Sequence, residues 1–211
     1  MFNAPSQITR EEFIKLAKES GNFNSLAIDF QHKTLQASGI GDTAHMPRSV
    51  FEPAVEITLK KGREEAASVL FATIDDLFAG SRIQLEDVDI LVVNCGILNT
   101  TPSLSAMLVN HYTLRHDILS YNLGGMGCAA GGIAVSLARD LLDVHPGSYA
   151  LVVSTEIMIS AWYAGNNLDM LTTNCTFRMG AAAMLLSNHR LDWWHSKYEL
   201  KQVSSKISNV S

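Results

Sequence analysis

Cys128 is the residue whose type and setting best suit covalent chemistry. It follows residues 124–127, where three of the four positions are glycine. Gly125 and Gly127 permit a tight turn, and the small residues after Cys128 keep the first turn of a following helix slender. A thiol at the start of a helix faces backbone N–H groups that stabilise the thiolate and could also hold an oxyanion. The pattern predicts a nucleophilic cysteine on a strand–turn–helix, similar in physical logic to the nucleophile elbow of hydrolases.

Two other interpretations of this segment stay open from the residues alone. A cysteine before a helix is often an inert, buried, small hydrophobic residue. A phosphate-binding loop of the form GxGxxG is disfavoured, because no third glycine follows Gly125 and Gly127 in register.

Several other residues are candidates for the same site or for the core. Asn94 and Thr155 end two predicted strands, and strand ends in α/β sheets often face the functional site. Cys95 and Cys175 are expected to be structural, with Cys175 in an irregular loop over residues 162–178.

The tryptophan pair Trp193 and Trp194 follows Asp192 near the end of the chain. The pair is expected to be interfacial, and tryptophans exposed in a half-fold would favour association.

The elements that would position these residues alternate between helix and strand. Helices are predicted from Thr9, over residues 24–38, over residues 63–80, from Pro102 and over residues 128–142. Strands are predicted over residues 90–94, 118–122, 149–155 and 181–186. Such alternation is typical of βαβ units with a largely parallel sheet covered on both faces. The predicted fold class is therefore α/β.

Composition excludes several classes of protein. The 211 residues are 47% hydrophobic, which is enough for a sizeable core. The net charge of −5 and the scattered basic residues argue against a nucleic-acid partner and give no attraction to an anionic membrane. No apolar run approaches the roughly 20 residues of a membrane helix. Three cysteines without metal-ligand spacing predict free thiols and no zinc site.

A family resemblance extends this interpretation. The motifs TPSLSAMLVNHYTLR, NLGGMGCAAG, YALVVSTE and NCTFRMGAAAMLLSN occur in this order and resemble plant 3-ketoacyl-CoA synthases, which elongate very-long-chain fatty acids. The resemblance runs from about Gln31 to about Leu200. These enzymes belong to the thiolase-like condensing superfamily, whose layered α-β-α-β-α core consists of two similar halves.

The resemblance implies a mechanism. Cys128 would accept a long acyl chain from acyl-CoA as a thioester, and the carbanion from decarboxylated malonyl-CoA would attack it to give a 3-ketoacyl-CoA. No metal or redox cofactor is implied. Phe177 matches a phenylalanine near the substrate entrance of related polyketide synthases. The implied substrate-binding residues are Gly125, Gly127, Phe177, Thr155 and Asn94.

The sequence also departs from the family. The hydrophobic anchor that precedes the family's catalytic region and the histidine and asparagine motifs of its second half are not found here. We therefore expect one half of the fold, incomplete as a condensing enzyme, from a truncated gene model, a splice form or a pseudogene. The expected segments are a helical and loop cover (1–60), the half that carries the nucleophile (61–200) and a divergent tail (201–211).

Three functions stay open. The leading one is the acyltransferase of fatty-acid elongation, and the second is a type III polyketide synthase-like condensing enzyme. The third is a non-catalytic partner of full-length synthases. The resemblance implies a homodimer or a heterodimer with related synthases. It also implies the endoplasmic reticulum membrane, although a chain without the anchor could be cytoplasmic.

Overall fold

A computed structural model describes residues 6–53, 55–201 and 203. The predicted divergent tail therefore lies outside the described residues except at positions 201 and 203. The chain divides into two units. The helical unit comprises Met1–Ala72 and Thr155–Gly180, and the nucleophile unit comprises Thr73–Ser154 and Ala181–Ser211. The segment boundaries predicted at residues 60 and 200 stay predictions.

Helices and strands alternate along the chain. The strands are β1 (Ser6–Gln7), β2 (His45–Met46), β3 (Val88–Cys95), β4 (Leu119–Gly124), β5 (Tyr149–Glu156) and β6 (Gly180–Ser187). The helices are α1 (Arg10–Glu19), α2 (Ser25–Ala37), α3 (Leu59–Ala79), α4 (Leu104–His111), α5 (Ala130–Val144) and α6 (Leu168–Thr176). Every predicted helix and strand is present, with its ends shifted by a few residues.

The main sheet has the strand order β4-β3-β5-β6, and β3 runs parallel to both β4 and β5. Strand β3 is buried along almost its whole length, as expected for a central strand between helices. Cys95 pairs with Gly124 on one side of β3, and Asn94 pairs with Ser154 on the other. The carboxyl ends of these three strands therefore lie at one edge of the sheet. The α/β fold class is confirmed.

Helix α5 packs on this sheet through a face of small side chains. Ala134 and Ala138 are fully buried against Ile90, Val92 and Val152. Alanines one helical turn apart let the helix lie close to the strands, and the larger leucines and valines on either side complete the contact. The helix that follows Cys128 thus has a fixed position on the sheet.

One element differs from its prediction. The segment predicted as an irregular loop over residues 162–178 contains α6, and Cys175 lies on that helix. Asn167 begins the helix by accepting a hydrogen bond from the Asp169 N–H. The segment's threonines and asparagines have modest helix propensity. Packing of Leu171 and Cys175 within the helical unit overrides that local preference.

Asn188 holds the far end of α5. Its amide nitrogen donates to the carbonyl oxygens of Leu142 (2.5 Å) and His145 (2.9 Å), and its amide oxygen accepts from the Ser148 N–H (2.8 Å). Helix ends leave carbonyl groups without intrahelical partners. One side chain therefore satisfies the end of α5 and joins it to the start of β5.

We predict that Asn188→Ala lowers the free energy of unfolding by about 1–3 kcal/mol, because it leaves these partly buried groups unpaired. Urea denaturation of the variant measures the loss. Asn110→Ala, on the exposed face of α4, is the matched control and should be nearly neutral. Equal stability of the two variants would contradict the anchoring role.

Glu65 is a buried carboxylate in the helical unit. It accepts hydrogen bonds from the Met158 N–H (2.6 Å) and the Ile159 N–H (2.9 Å), in the turn after β5. Burial raises the pKa of the Glu65 carboxyl, and the two backbone hydrogen bonds oppose that rise. The charged form is therefore less favoured in the folded chain than in the unfolded one.

This environment predicts a pH dependence of stability. A raised folded-state pKa contributes stability that is fully present below the unfolded value of 4.5 and is lost as pH rises through the folded value. Raising the pH from about 4.5 to about 7 should thus destabilise the wild type relative to Glu65→Gln. Denaturation of both proteins across this range tests the prediction. A relative gain by the wild type would show that the two hydrogen bonds outweigh desolvation.

Candidate active site at Cys128

The turn that carries Cys128 is built by glycine. Gly125 and Gly127 have φ angles of +71° and +58°, in the left-handed region that residues with a side chain rarely adopt. Cys128 lies in a 3-10 turn, Gly127–Ala129, and α5 begins two residues later than predicted. Its side chain is exposed, which excludes the alternative of a buried core cysteine. The predicted strand–turn–helix is confirmed, and the role of Cys128 as a nucleophile stays a prediction.

The chain after β3 runs beside this turn. The Gly125 N–H donates to the Gly96 carbonyl oxygen at 3.3 Å, which extends the pairing of β3 with β4 by one step. Farther along, the Ser105 N–H at the start of α4 donates to the Asn122 amide oxygen at 3.2 Å. The end of β4 is therefore held by the segment that follows β3.

Asn94 and Ser154 join the ends of β3 and β5. The Ser154 hydroxyl donates to the Asn94 amide oxygen at 2.5 Å, and Asn94 is buried. A Cβ placed on Gly131, in the first turn of α5, would lie 3.7 Å from Ser154 Oγ. The pair thus lies against the first turn of the helix that follows Cys128. Its hydrogen bond uses the Asn94 amide oxygen internally, and the substrate-binding role of Asn94 stays a prediction.

Thr155 and Phe177 belong to the helical unit, whereas Cys128, Gly125, Gly127 and Asn94 belong to the nucleophile unit. Thr155 is buried, and its hydroxyl donates to the Gly180 carbonyl oxygen at 2.9 Å. Phe177 directly follows α6 and has a side chain that is 51% exposed. Their roles in substrate binding stay predictions.

The other two cysteines are buried. Cys95 ends β3, and the Cys175 thiol donates to the Gln31 carbonyl oxygen at 3.8 Å. Burial raises the pKa of the Cys175 thiol to about 11. None of the three cysteines forms a disulfide. Cys128 is therefore the thiol that a reagent in solution can reach.

Sequence reasoning missed Ser154, Asn122 and Asn99 at this end of the sheet. Ser154 precedes Thr155, and Asn122 lies within the motif around Cys128. Asn99 follows β3 by four residues and contacts the glycine turn with its side chain. The rule that parallel strand ends meet, which indicated Asn94, could have found all three.

The tryptophan pair is exposed in the structure. Trp193 and Trp194 are 64% and 70% exposed, and their ring centroids lie 4.1 Å apart. Association through this pair stays a prediction.

Within the residues that the structure describes, no group of three His, Cys, Asp or Glu side chains is arranged to hold a metal ion. The described helices include none with the length and apolar character needed to cross a membrane.

Comparisons of sequence indicate a family. The model for FAE1/type III polyketide synthase-like proteins matches residues 3–208. The 3-ketoacyl-CoA synthase 11 of Arabidopsis thaliana is 48% identical over 192 residues, which are 91% of this chain and 38% of that protein. The 3-ketoacyl-CoA synthase 4 of the same plant is 49% identical over 191 residues, which are 90% and 37%. The chain thus spans less than half the length of these relatives.

Comparisons of structure agree on the fold. The 1,3,6,8-tetrahydroxynaphthalene synthase of Streptomyces coelicolor, a type III polyketide synthase, is 24% identical with a TM-score of 0.73. The similarity covers 89% of this chain and 55% of that one. PKS-I of the brown alga Ectocarpus siliculosus is 20% identical with a TM-score of 0.74 and coverages of 87% and 53%.

We predict that iodoacetamide labels Cys128 in the folded chain and leaves Cys95 and Cys175 unmodified. The thiolate is the reactive form. Burial denies the reagent access to the other two thiols, and it also raises the pKa of the Cys175 thiol. Peptide mass spectrometry after labelling at about pH 8 measures the pattern, and labelling in urea should modify all three. Modification of Cys175 at the rate of Cys128 without urea would contradict the site.

Proposed function

Since the chain belongs to the FAE1/type III polyketide synthase-like family, we propose that it is an acyltransferase of fatty-acid elongation, of the 3-ketoacyl-CoA synthase type. The observation that carries the proposal is the exposed thiol of Cys128 on its glycine turn. The proposed substrate is a long-chain acyl-CoA, which transfers its acyl group to that thiol.

The acyl transfer needs few groups. The Cys128 thiolate attacks the carbonyl carbon of the acyl-CoA thioester, and an oxyanion develops on the carbonyl oxygen. Backbone N–H groups at the start of a helical segment lack intrahelical partners and can donate to that oxyanion. Collapse of the intermediate breaks the bond to the CoA sulfur, which takes up the proton lost by Cys128. The product is an acyl-Cys128 thioester and free CoA.

Condensation is the second proposed step. Malonyl-CoA loses CO₂, and the electron pair of the broken bond forms the enolate of acetyl-CoA. The enolate carbon attacks the acyl-Cys128 carbonyl, the C–S bond breaks, and a 3-ketoacyl-CoA leaves with the thiolate restored. The electrons balance without a metal or redox cofactor, and we propose none. The family resemblance implies that a histidine and an asparagine take part in this step. We assign no residue of this chain to either role.

The proposed binding residues divide by unit. Gly125 and Gly127 would leave room for the thioester beside Cys128, and Asn94 would support the same edge of the sheet. Thr155 and Phe177 are proposed substrate-binding residues that belong to the helical unit. A second copy of the chain or a related synthase is the proposed partner. The endoplasmic reticulum membrane is the proposed location, which cell fractionation would check.

A type III polyketide synthase-like activity is the second candidate. The similar solved structures are polyketide synthases, but at 24% identity and below they support the fold alone. The relatives near 48% identity are 3-ketoacyl-CoA synthases, and this difference favours elongation. A non-catalytic partner of longer synthases is the third candidate, and it predicts no acyl transfer.

We predict that the folded chain gains the mass of one acyl group when it is incubated with a long-chain acyl-CoA. Intact-protein mass spectrometry measures the adduct. Cys128→Ser should abolish it, because a serine hydroxyl is a much weaker nucleophile than a thiolate.

Cys175→Ser is the matched control, since it also removes one thiol but from a buried position, and it should keep the adduct. A folded wild type that gains no acyl group would contradict the acyltransferase proposal and favour the non-catalytic partner. An adduct that survives in Cys128→Ser would place the chemistry on another residue.

A further inference from the structure

The reason for a glycine at position 124 differs from the reason at positions 125 and 127. Gly125 and Gly127 adopt positive φ angles, which accounts for glycine at both positions. Gly124 ends β4 and has no positive φ, so its backbone would accept a side chain. What excludes a side chain there is Asn99. A Cβ on Gly124 would overlap Asn99 Oδ1 and lie 2.6 Å from Asn99 Cγ.

The Asn99 carboxamide also reaches the next residue. A Cβ on Gly125 would lie 3.7 Å from Asn99 Nδ2, which is an ordinary contact distance. The same two strand ends are joined by the bond from the Gly125 N–H to the Gly96 carbonyl oxygen. Asn99 therefore packs over the start of the turn, and the backbone bond lies beside this packing.

We propose that Asn99 is a positioning residue of the turn that carries Cys128. Its carboxamide fills the space above Gly124 and Gly125. This packing fixes the position of the glycine turn relative to the segment that follows β3. The orientation of Cys128, three residues beyond Gly125, depends on that arrangement. The inference rests on the proposed function for its meaning, because it assigns Asn99 to the presentation of the acyl-accepting thiol.

The contact predicts a specific non-additivity. Gly124→Ala introduces a methyl group where the Asn99 carboxamide lies, so one of the two must move. Asn99→Ala removes the carboxamide and leaves open space. In the double variant the methyl group introduced at position 124 occupies that space, and the turn regains a filled contact. Residues in direct contact couple in this way, whereas independent sites contribute additively.

The experiment measures the rate constant for alkylation of Cys128 by iodoacetamide across a range of pH, in the full chain. We expect Gly124→Ala to lower it by about tenfold and Asn99→Ala by about threefold, since the reactivity of a thiol depends on its access to the reagent and on the groups around it. The double variant should react no more slowly than Asn99→Ala. Continued protection of Cys95, which is buried at the end of β3 in the nucleophile unit, together with that of Cys175 in the helical unit, shows that both units stay folded.

The chain offers matched controls. Gly80 has open space around a Cβ and no positive φ, so Gly80→Ala should keep the wild-type rate. Asn110→Ala controls for the loss of an exposed asparagine. A wild-type rate in Gly124→Ala or in Asn99→Ala would overturn the proposal, and so would a double variant as slow as the two single effects combined. If Gly124→Ala does not fold, folding of the double variant supports the proposal and its failure overturns it.

This readout separates the inference from the proposed function. Alkylation needs only the thiol and no acyl-CoA. If the wild type gains no acyl group, the proposed function is contradicted. The alkylation rates still test the positioning role of Asn99 in that case. An alkylation rate that does not change in Asn99→Ala would overturn the inference. The proposed acyl transfer would not be affected by that result.

Discussion

The nucleophile unit depends on one constraint: the chain must turn within residues 125–127 from β4, a partly buried edge strand, into a helix and leave a thiol exposed. Only a backbone with left-handed φ angles at Gly125 and Gly127 achieves this here. The strands fix where the turn begins, since β4 ends level with β3. The alanine face of α5 fixes the position of the helix that follows the turn, because these alanines pack closely on the sheet.

Polar side chains stabilise the surroundings of the glycine turn, which is itself intrinsically flexible. Glycines lose more conformational entropy on folding than other residues, so a turn rich in them needs support from its surroundings. Ser154 and Asn94 pair next to the first turn of α5, and Asn188 satisfies its other end. These contacts join residues that are far apart in the sequence, so the arrangement around the helix that follows Cys128 depends on long-range structure.

Local signals in the sequence were sufficient for most of the fold. Glycines before Cys128 and the periodicity of the following helix predict the turn, because both act over a few neighbouring residues. Helix α6 could not be predicted in this way, since burial of Leu171 and Cys175 by distant parts of the helical unit overrides weak local propensity. Asn94 was found from its place at a strand end, and the same rule applies to Ser154. Their pairing could not be predicted, because it depends on the register between strands that are far apart in the sequence.

The central claim is that Cys128 forms a thioester with the acyl group of an acyl-CoA. The most direct test locates a labelled long-chain acyl group by trypsin digestion and then treats the peptide with neutral hydroxylamine, which cleaves thioesters. The account predicts label on the peptide of residues 116–139, in which Cys128 is the only cysteine, and its release by hydroxylamine. Label on another peptide, or label that resists hydroxylamine, would contradict the account.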